Sequence, residues 1–201
     1  MSSDRIHRRG DRTGIMGWFD RIRYNEILRQ GIGLLLVAAC AYFVRPGLNL
    51  VLPGLAMAAF GQVFRIYAAG FIHKNKQLAS NGPYALVRHP LYLGNLLILS
   101  GFALASANLY VSVGVVLFFL IWYPAAIAYE DSKLESIFAD EWRAWSKNIG
   151  AIIPGRFKWA DLKADRWDTY QSLIRNGELP VSLYLGSCGI WLWVVRQAPG
   201  A

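Results

Sequence analysis

Long uncharged stretches, separated by short basic segments, dominate the pattern of residues along this chain of 201 amino acids. Residues 46–64 carry no charged side chain, and as a helix they would extend about 28 Å, enough to cross the hydrocarbon core of a bilayer. Residues 91–129 are also uncharged. Because 39 residues are too many for one span, we predict two helices with a break at the small and polar residues 106–108.

Two shorter apolar runs flank these stretches. Residues 31–44 are long enough to span only if their helix begins near Glu26, with Arg29 and Gln30 extending back towards the lipid headgroups. Residues 181–195 could span the membrane or lie partly in its interface, with two tryptophans and an arginine as anchors. The pattern therefore predicts an all-α integral membrane protein, built as a bundle of four to five transmembrane helices.

The same pattern divides the chain into three parts. We predict a basic cytoplasmic arm at residues 1–25, a transmembrane core at residues 26–155, and an extension at residues 156–201 with a candidate fifth membrane helix. The sequence Val37-Ala38-Ala39-Cys40 resembles a lipoprotein cleavage box, but the long segment before it favours a first transmembrane helix.

Lysine and arginine are distributed unevenly along the chain. Seven lie before residue 30 and eight between residues 130 and 180, whereas the hairpin turn near residue 107 carries none. Because cytoplasmic loops carry the excess of basic residues, this predicts a cytoplasmic N-terminus and cytoplasmic ends for the 91–129 hairpin. In a bacterium, we would expect the inner membrane, with the active site facing the cytoplasm.

Composition supports a membrane protein and argues against other classes. Hydrophobic residues make up 55% of the chain and charged residues 17%, against about 25% in soluble domains, which argues against a disordered protein or a polar soluble enzyme. A net charge of +8 suits nucleic acid, an anionic membrane or an anionic ligand. Since the basic residues follow the topology, we expect the lipid bilayer as the partner and no nucleic acid. The two cysteines predict neither a disulfide framework nor a metal site.

A turn and a helix start precede the predicted hairpin. Asn81-Gly82-Pro83 is a strong turn signal, and Pro90 suits the first position of the following helix. Free N–H groups at such a helix start form an anion site, to which Arg88 adds a charge and His89 a donor or an acceptor. The alternative is an ordinary interfacial helix start.

Three charged residues lie at the edges of the predicted spans. Glu130 and Asp131 follow the 39 uncharged residues directly, and they need a cationic partner or ligand unless both are solvated. Arg65 ends the second apolar run, yet seven uncharged residues follow it. If that helix continues, Arg65 should face the bundle interior and could bind an anionic headgroup; otherwise it reaches out to the interface.

An amphipathic helix is predicted after the acidic pair. Its apolar positions recur at helical spacing, at Leu134, Phe138, Trp142, Trp145 and Ile149, with charged residues between them. Such a helix lies on the membrane or caps the bundle on its cytoplasmic side. Its two tryptophans could form an aromatic wall over a cofactor or serve as interfacial anchors.

Together, these motifs resemble the integral-membrane methyltransferases, which include isoprenylcysteine carboxyl methyltransferases and phospholipid N-methyltransferases. The shared pattern is Gly82-Pro83-Tyr84-x3-Arg88-His89-Pro90-x-Tyr92-x-Gly94, then a hairpin, then Glu130-Asp131 and the aromatic helix that leads to Ile153-Pro154. The resemblance implies an S-adenosylmethionine site at the cytoplasmic face, capped by the amphipathic helix. It also implies a lipid-side entrance for a small or lipid-like methyl acceptor.

The resemblance and the charge arguments together give a set of candidate site residues. The cofactor-binding candidates are Gln77, Leu78, Ala79, Tyr84, Arg88, His89, Pro90, Leu91, Tyr92, Gly94 and Glu130, and the catalytic candidates are Arg65 and Asp131. The sequence departs from the family pattern at Asp131, where glutamate is usual, and at Ala139, where glycine is usual. Carboxyl-methylating members have an arginine where this chain has Ala126, which argues against a prenylcysteine substrate.

The leading hypothesis is therefore methyl transfer from S-adenosylmethionine to a membrane-embedded acceptor. A carboxylate pair suits the cationic end of this cofactor, and a helix start with Arg88 suits its carboxylate. The alternatives are a nicotinamide-dependent membrane reductase and a non-catalytic membrane protein that binds lipids or a partner.

Overall fold

Five α-helices account for most of the chain that the structure, a computed structural model, describes: residues 25–45, 50–73, 77–155 and 167–197. They are α1 (Glu26–Tyr42), α2 (Val51–Ala69), α3 (Pro90–Ser106), α4 (Leu109–Ser146) and α5 (Glu178–Gln197). A 3₁₀ turn at Gly82–Ala85 precedes α3, and a π-helical turn at Gln171–Arg175 precedes α5. No described residue lies in a β-strand, so the all-helical prediction is confirmed for this part of the chain. The predicted arm at 1–25 lies almost wholly outside the described residues.

Three of these helices are long and apolar enough to cross a membrane: α2, α4 and α5. Residues 109–129, the part of α4 before the acidic pair, carry no charged side chain. Helix α3 is apolar but only 17 residues long, and α1 has the same length. Three candidate spans are therefore found among the described residues, and the count of four to five spans stays a prediction. The last apolar run, left open between spanning and interfacial positions, forms a 20-residue helix of spanning length.

Two predicted helix boundaries are confirmed by their caps. Helix α1 begins at Glu26, and the side chain of Asn25 accepts a hydrogen bond from the Leu28 N–H at 3.1 Å. The hairpin breaks at Ala107, which is left-handed with φ 50°, and Asn108 then caps the start of α4. The Asn108 side-chain amide also donates to the Phe43 carbonyl at 2.7 Å, which ties this turn to the end of α1.

Helices α2 and α3 pack closely because glycines face each other at two levels. A Cβ atom placed at Gly101 would lie 2.5 Å from the Gly54 carbonyl oxygen, and one at Gly94 would lie 3.0 Å from the Gly61 carbonyl oxygen. Small residues at such positions let helix backbones approach, which is a common way for membrane helices to associate. This contact holds the start of α3, and hence the motif residues around it, beside the end of α2.

Replacing Gly101 by valine is expected to lower the free energy of unfolding by about 1–3 kcal/mol, because the new side chain meets backbone that cannot move aside. Thermal unfolding of the purified protein in detergent would measure the loss. Gly186→Val on α5 is the matched control, since nothing lies within 4 Å of a Cβ at that position. An equal loss of stability in both variants would contradict the proposed close contact.

The predicted amphipathic helix follows the acidic pair without an intervening loop. Helix α4 continues through the acidic pair to Ser146, interrupted only at Ala139, where φ is 43° and ψ is −112°. This left-handed position explains why glycine, which adopts a positive φ without strain, is usual there in the family pattern. The amphipathic segment is therefore continuous with the fourth helix up to the kink at Ala139, after which a second helical segment runs to Ser146, and its capping of the bundle stays a prediction.

The C-terminal segment is bound to the end of α2 by side chains that cap its carbonyl groups. Ser172 Oγ donates to the Ile66 carbonyl at 2.6 Å, and Asn176 Nδ2 donates to the Ala69 carbonyl at 2.7 Å. The last carbonyls of a helix have no partner within the helix, so these contacts satisfy groups that would otherwise be buried without one. The segment before α5 is therefore fixed against the core.

Candidate functional site

The start of α3 is held by the chain that follows α4. The N–H groups of Arg88 and His89 donate to the carbonyls of Gly150 and Ala151, at 2.8 and 2.9 Å. Pro90, the first residue of α3, has no N–H group and is buried. The two N–H groups just before the helix are thus already occupied, so the expected anion site at this helix start is not formed by them.

Arg88, His89 and Asp131 form one hydrogen-bonded network. Arg88 Nη2 donates to Asp131 Oδ2 at 2.8 Å, and Arg88 Nη1 donates to the Ile149 carbonyl at 2.9 Å. Asp131 Oδ1 lies 2.9 Å from His89 Nε2. Because an ionised carboxylate only accepts, the proton of this bond lies on His89 Nε2. The prediction that the acidic pair needs a cationic partner is confirmed for Asp131, and its partner is the arginine that we expected at the cofactor's carboxylate.

Asp131 is kept ionised by its neighbours. Burial raises its pKa, but the hydrogen bond and charge of His89, with those of Arg88, outweigh burial and hold the pKa below its usual range. A carboxylate with a lowered folded-state pKa stabilises the fold above the unfolded-state pKa of about 3.9. This contribution is lost as the pH falls through the lower folded-state value.

Replacing Asp131 by asparagine is expected to cost about 1.5–3 kcal/mol of stability at pH 7, because two charge-assisted hydrogen bonds are weakened. The difference from the wild type should shrink when the pH is lowered below about 4, because Asp131 then begins to protonate in the unfolded wild-type chain. Denaturation at several pH values would measure it, with the fully exposed Asp140→Asn as the control. A difference that is independent of pH would contradict this account.

Glu130 is placed differently from its neighbour. Its side chain is 45% exposed, and its Oε2 lies 3.8 Å from Nδ1 of the His89 ring. No lysine or arginine among the described residues forms an ion pair with Glu130. This carboxylate is therefore available to a cationic ligand.

A stack of rings lies beneath Glu130. His89 stacks on Tyr92 with 5.4 Å between the ring centroids, and Tyr92 meets Tyr123 edge-on at 5.3 Å. The guanidinium carbon of Arg29 lies 5.2 Å from the centroid of the Tyr92 ring. Arg29 therefore lies over a residue of the predicted site, and its extension towards the headgroups stays a prediction.

A second group of candidates lies around the 3₁₀ turn. Tyr84 is buried with Ala68 and Phe71, and Trp145 packs against them with Ala79 and Leu91 at the edge. Burial raises the pKa of Tyr84 well above its ordinary value, and the charge of Glu130 adds to this effect, so its hydroxyl stays neutral. Gly82 has φ +59°, and a Cβ there would lie 2.6 Å from the Phe71 ring, so the turn requires glycine. Leu78 is buried and Gln77 is exposed.

Two candidate residues are engaged elsewhere in the fold. Gly94 faces α2, where a Cβ would lie 2.4 Å from the Arg65 side chain, so it serves helix packing and presents no free surface to a ligand. Arg65 does face the bundle interior, as predicted for a helix that continues. Its guanidinium is paired with Glu178 of α5, with 2.6 Å between Nη2 and Oε1, and also donates to Asn95.

The pairing of Arg65 changes what the sequence suggested for it. Glu178 is buried, with 1% of the residue exposed, and it also accepts from Gln62 Nε2 at 3.0 Å. A substrate headgroup at Arg65, which stays a prediction, would have to compete with this carboxylate. Sequence reasoning missed Glu178 because it lies 113 residues from Arg65; the signal was an arginine inside a span, which needs a partner.

The residues near Glu130 fit the S-adenosylmethionine that the family resemblance implies. The cofactor's ammonium group requires a carboxylate, and Glu130 is half exposed with no lysine or arginine partner in the described part of the chain. The ring N–H of Trp145, which packs against the cluster around Tyr84, is buried and lacks a hydrogen-bond partner, so one donor is left for a bound molecule. The donor set is therefore compatible with this cofactor.

Comparison with known proteins gives the same family. Residues 33–141, more than half of the chain, match the family model described as phospholipid methyltransferase. The chain is 36% identical over 108 residues to a cobalt-zinc-cadmium resistance protein of Cupriavidus metallidurans, covering 53% of this chain and 49% of the relative. It is 31% identical over 102 residues to the protein-S-isoprenylcysteine O-methyltransferase of Schizosaccharomyces pombe, covering 49% and 42%.

A third relative is a nickel-cobalt-cadmium resistance protein of Alcaligenes xylosoxydans xylosoxydans, 30% identical over 102 residues, with 50% of this chain and 46% of the relative covered. The chain spans about half the length of these curated relatives. No solved structure matches it. Since the family model covers more than half of the chain, including the Arg88–His89–Asp131 network and Glu130, the chain belongs to the phospholipid methyltransferase family.

Proposed function

We propose that this protein transfers a methyl group from S-adenosylmethionine to a small or lipid-like acceptor in the membrane, at the cytoplasmic face. The observation that carries the proposal is Glu130: a half-exposed carboxylate next to the start of α3, with no lysine or arginine partner among the described residues. Its neighbour Asp131 is fully engaged by Arg88 and His89 and acts in positioning. The family match supports methyl transfer over the reductase and non-catalytic alternatives.

The residues of this chain have separate roles in this proposal. Glu130 would bind the ammonium of the cofactor, while the Arg88–Asp131 pair fixes the end of α4 against the start of α3. Tyr84 and Trp145 supply apolar surface that excludes water, and the indole N–H of Trp145 supplies a donor. When bound, the cofactor supplies an activated methyl group. The protein then contributes mainly position and desolvation, because an apolar acceptor can bring its own nucleophile.

Incorporation of a labelled methyl group tests the proposal. Membranes from cells that overproduce the protein should transfer label from S-adenosylmethionine to a lipid-extractable product, and membranes from deletion cells should not. Membranes with Glu130→Gln provide the matched control, since that variant keeps the side-chain size and loses the charge. Label incorporation that is equal in all three membranes would overturn the proposal, and oxidation of NADPH by the overproducing membranes would favour the reductase.

A further inference from the structure

The arginines around the candidate site differ in how their charges are balanced. Arg65 is paired with Glu178, and Arg88 is paired with Asp131, in both cases through buried or half-buried carboxylates. Arg29 is half-buried near the start of α1. In the part of the chain that the structure describes, no carboxylate pairs with its guanidinium. Arg29 thus carries a positive charge that these residues do not neutralise.

The position of Arg29 brings this charge next to Glu130. The guanidinium carbon lies 5.2 Å from the centre of the Tyr92 ring, and the His89 ring, which stacks on the same tyrosine, has its Nδ1 3.8 Å from Glu130 Oε2. Arg29 and Glu130 therefore lie around one pair of stacked rings, yet they form no ion pair within 4.0 Å. These two opposite charges lie close together without forming an ion pair, and both are partly exposed. They are therefore suited to bind a molecule that carries both charges.

The amino-acid end of S-adenosylmethionine is such a molecule, with an ammonium and a carboxylate on one carbon. We infer that Arg29 binds the carboxylate of this group while Glu130 binds its ammonium, an assignment that rests on the proposed function. It replaces Arg88, which the sequence favoured for this role and which the structure engages with Asp131 and the Ile149 carbonyl. A guanidinium is well suited to the task because its planar fork matches a carboxylate. Arg29 precedes the family match, which begins at residue 33.

The affinities of two related ligands test this assignment without any mutation. Titration calorimetry on the purified wild type in detergent would compare S-adenosylmethionine with its decarboxylated form, which keeps the ammonium and lacks the carboxylate. We expect the decarboxylated ligand to bind roughly 10- to 150-fold more weakly, the value of one charge-assisted hydrogen-bond contact. Equal affinities would overturn the assignment, whereas no binding of S-adenosylmethionine at all would instead overturn the proposed function.

Substitution of Arg29 then locates the contact. Arg29→Met should weaken the binding of S-adenosylmethionine by a similar factor and leave the affinity for the decarboxylated ligand unchanged. The affinity of Arg29→Lys for S-adenosylmethionine should lie between those of the wild type and Arg29→Met. Arg45→Met is the matched control: its guanidinium lies 5.7 Å from the Tyr110 ring, a similar contact near the other end of α1. An Arg29→Met variant that binds S-adenosylmethionine normally would overturn the assignment. If its KM for the acceptor alone rises, Arg29 binds an anionic group of the acceptor, and the assignment to the cofactor is wrong.

Discussion

Replacing Glu178 by leucine is expected to lower the free energy of unfolding by about 3–5 kcal/mol, the largest effect on stability that this structure predicts. The substitution leaves the Arg65 guanidinium, 14% exposed, without its carboxylate at the edge of a membrane span. An arginine cannot lose its charge by deprotonation, so the unpaired group must stay charged where charge is costly. Chemical denaturation in detergent, followed by tryptophan fluorescence, would measure the loss.

A double variant separates the missing partner from other effects of the substitution. Arg65→Met combined with Glu178→Leu removes both charges and should recover most of the lost stability, because a buried ion pair can be replaced by apolar residues of similar size. Glu141→Leu, on the exposed surface of α4, is the control for adding an apolar side chain. If the double variant were as unstable as the single one, the pairing of Arg65 with Glu178 would not explain the effect. The double variant removes Arg65 without leaving Glu178 unpaired, so measuring its turnover also tests whether Arg65 binds a substrate headgroup.

Replacing Glu130 by glutamine is expected to weaken S-adenosylmethionine binding by roughly 10- to 150-fold, which is the largest functional effect predicted here. The physical reason is the loss of one charge-assisted hydrogen bond to the ammonium of the cofactor. Stability should change little, because Glu130 is 45% exposed and no lysine or arginine in the described part of the chain pairs with it. Calorimetry and thermal unfolding on the same sample would separate the two quantities.

Two controls distinguish a specific contact from a general change in charge. Glu135→Gln removes a carboxylate from the same helix that is paired with Arg143, and it should leave cofactor affinity unchanged. Asp131→Asn should lower stability, through Arg88 and His89, more than it lowers affinity. Wild-type affinity in folded Glu130→Gln would remove this residue from the cofactor site.

Local features of the fold could be predicted from the sequence because they depend on neighbouring residues. The start of α1 at Glu26 follows from its cap, and the break near Asn108 follows from small and polar residues within an uncharged stretch. The continuation of α4 past Asp131 could not be predicted in the same way. An amphipathic pattern is the same whether the helix stands alone or continues from a span, and the kink at Ala139 occurs where the sequence has no glycine.

The sequence predicted which residues belong to the site better than it predicted which of them pair with each other. Arg88, His89 and Asp131 were all candidates, but the contact between residues 88 and 131, 43 positions apart, depends on how α3 and α4 pack. The same holds for Glu178, which comes from outside the segment that resembles the family. Gly94 was assigned to the cofactor because it belongs to the motif, whereas its position against Arg65 follows from the close approach of α2 and α3.

Direct titration of the purified wild-type protein in detergent with S-adenosylmethionine, and separately with NADPH, tests the central claim most directly. The arrangement of Glu130 beside Tyr92, with Arg88 neutralised by Asp131, predicts saturable binding of S-adenosylmethionine that Glu130→Gln weakens, and no binding of NADPH at the same concentrations. Binding of NADPH without S-adenosylmethionine, or of neither molecule by folded protein, would contradict the account.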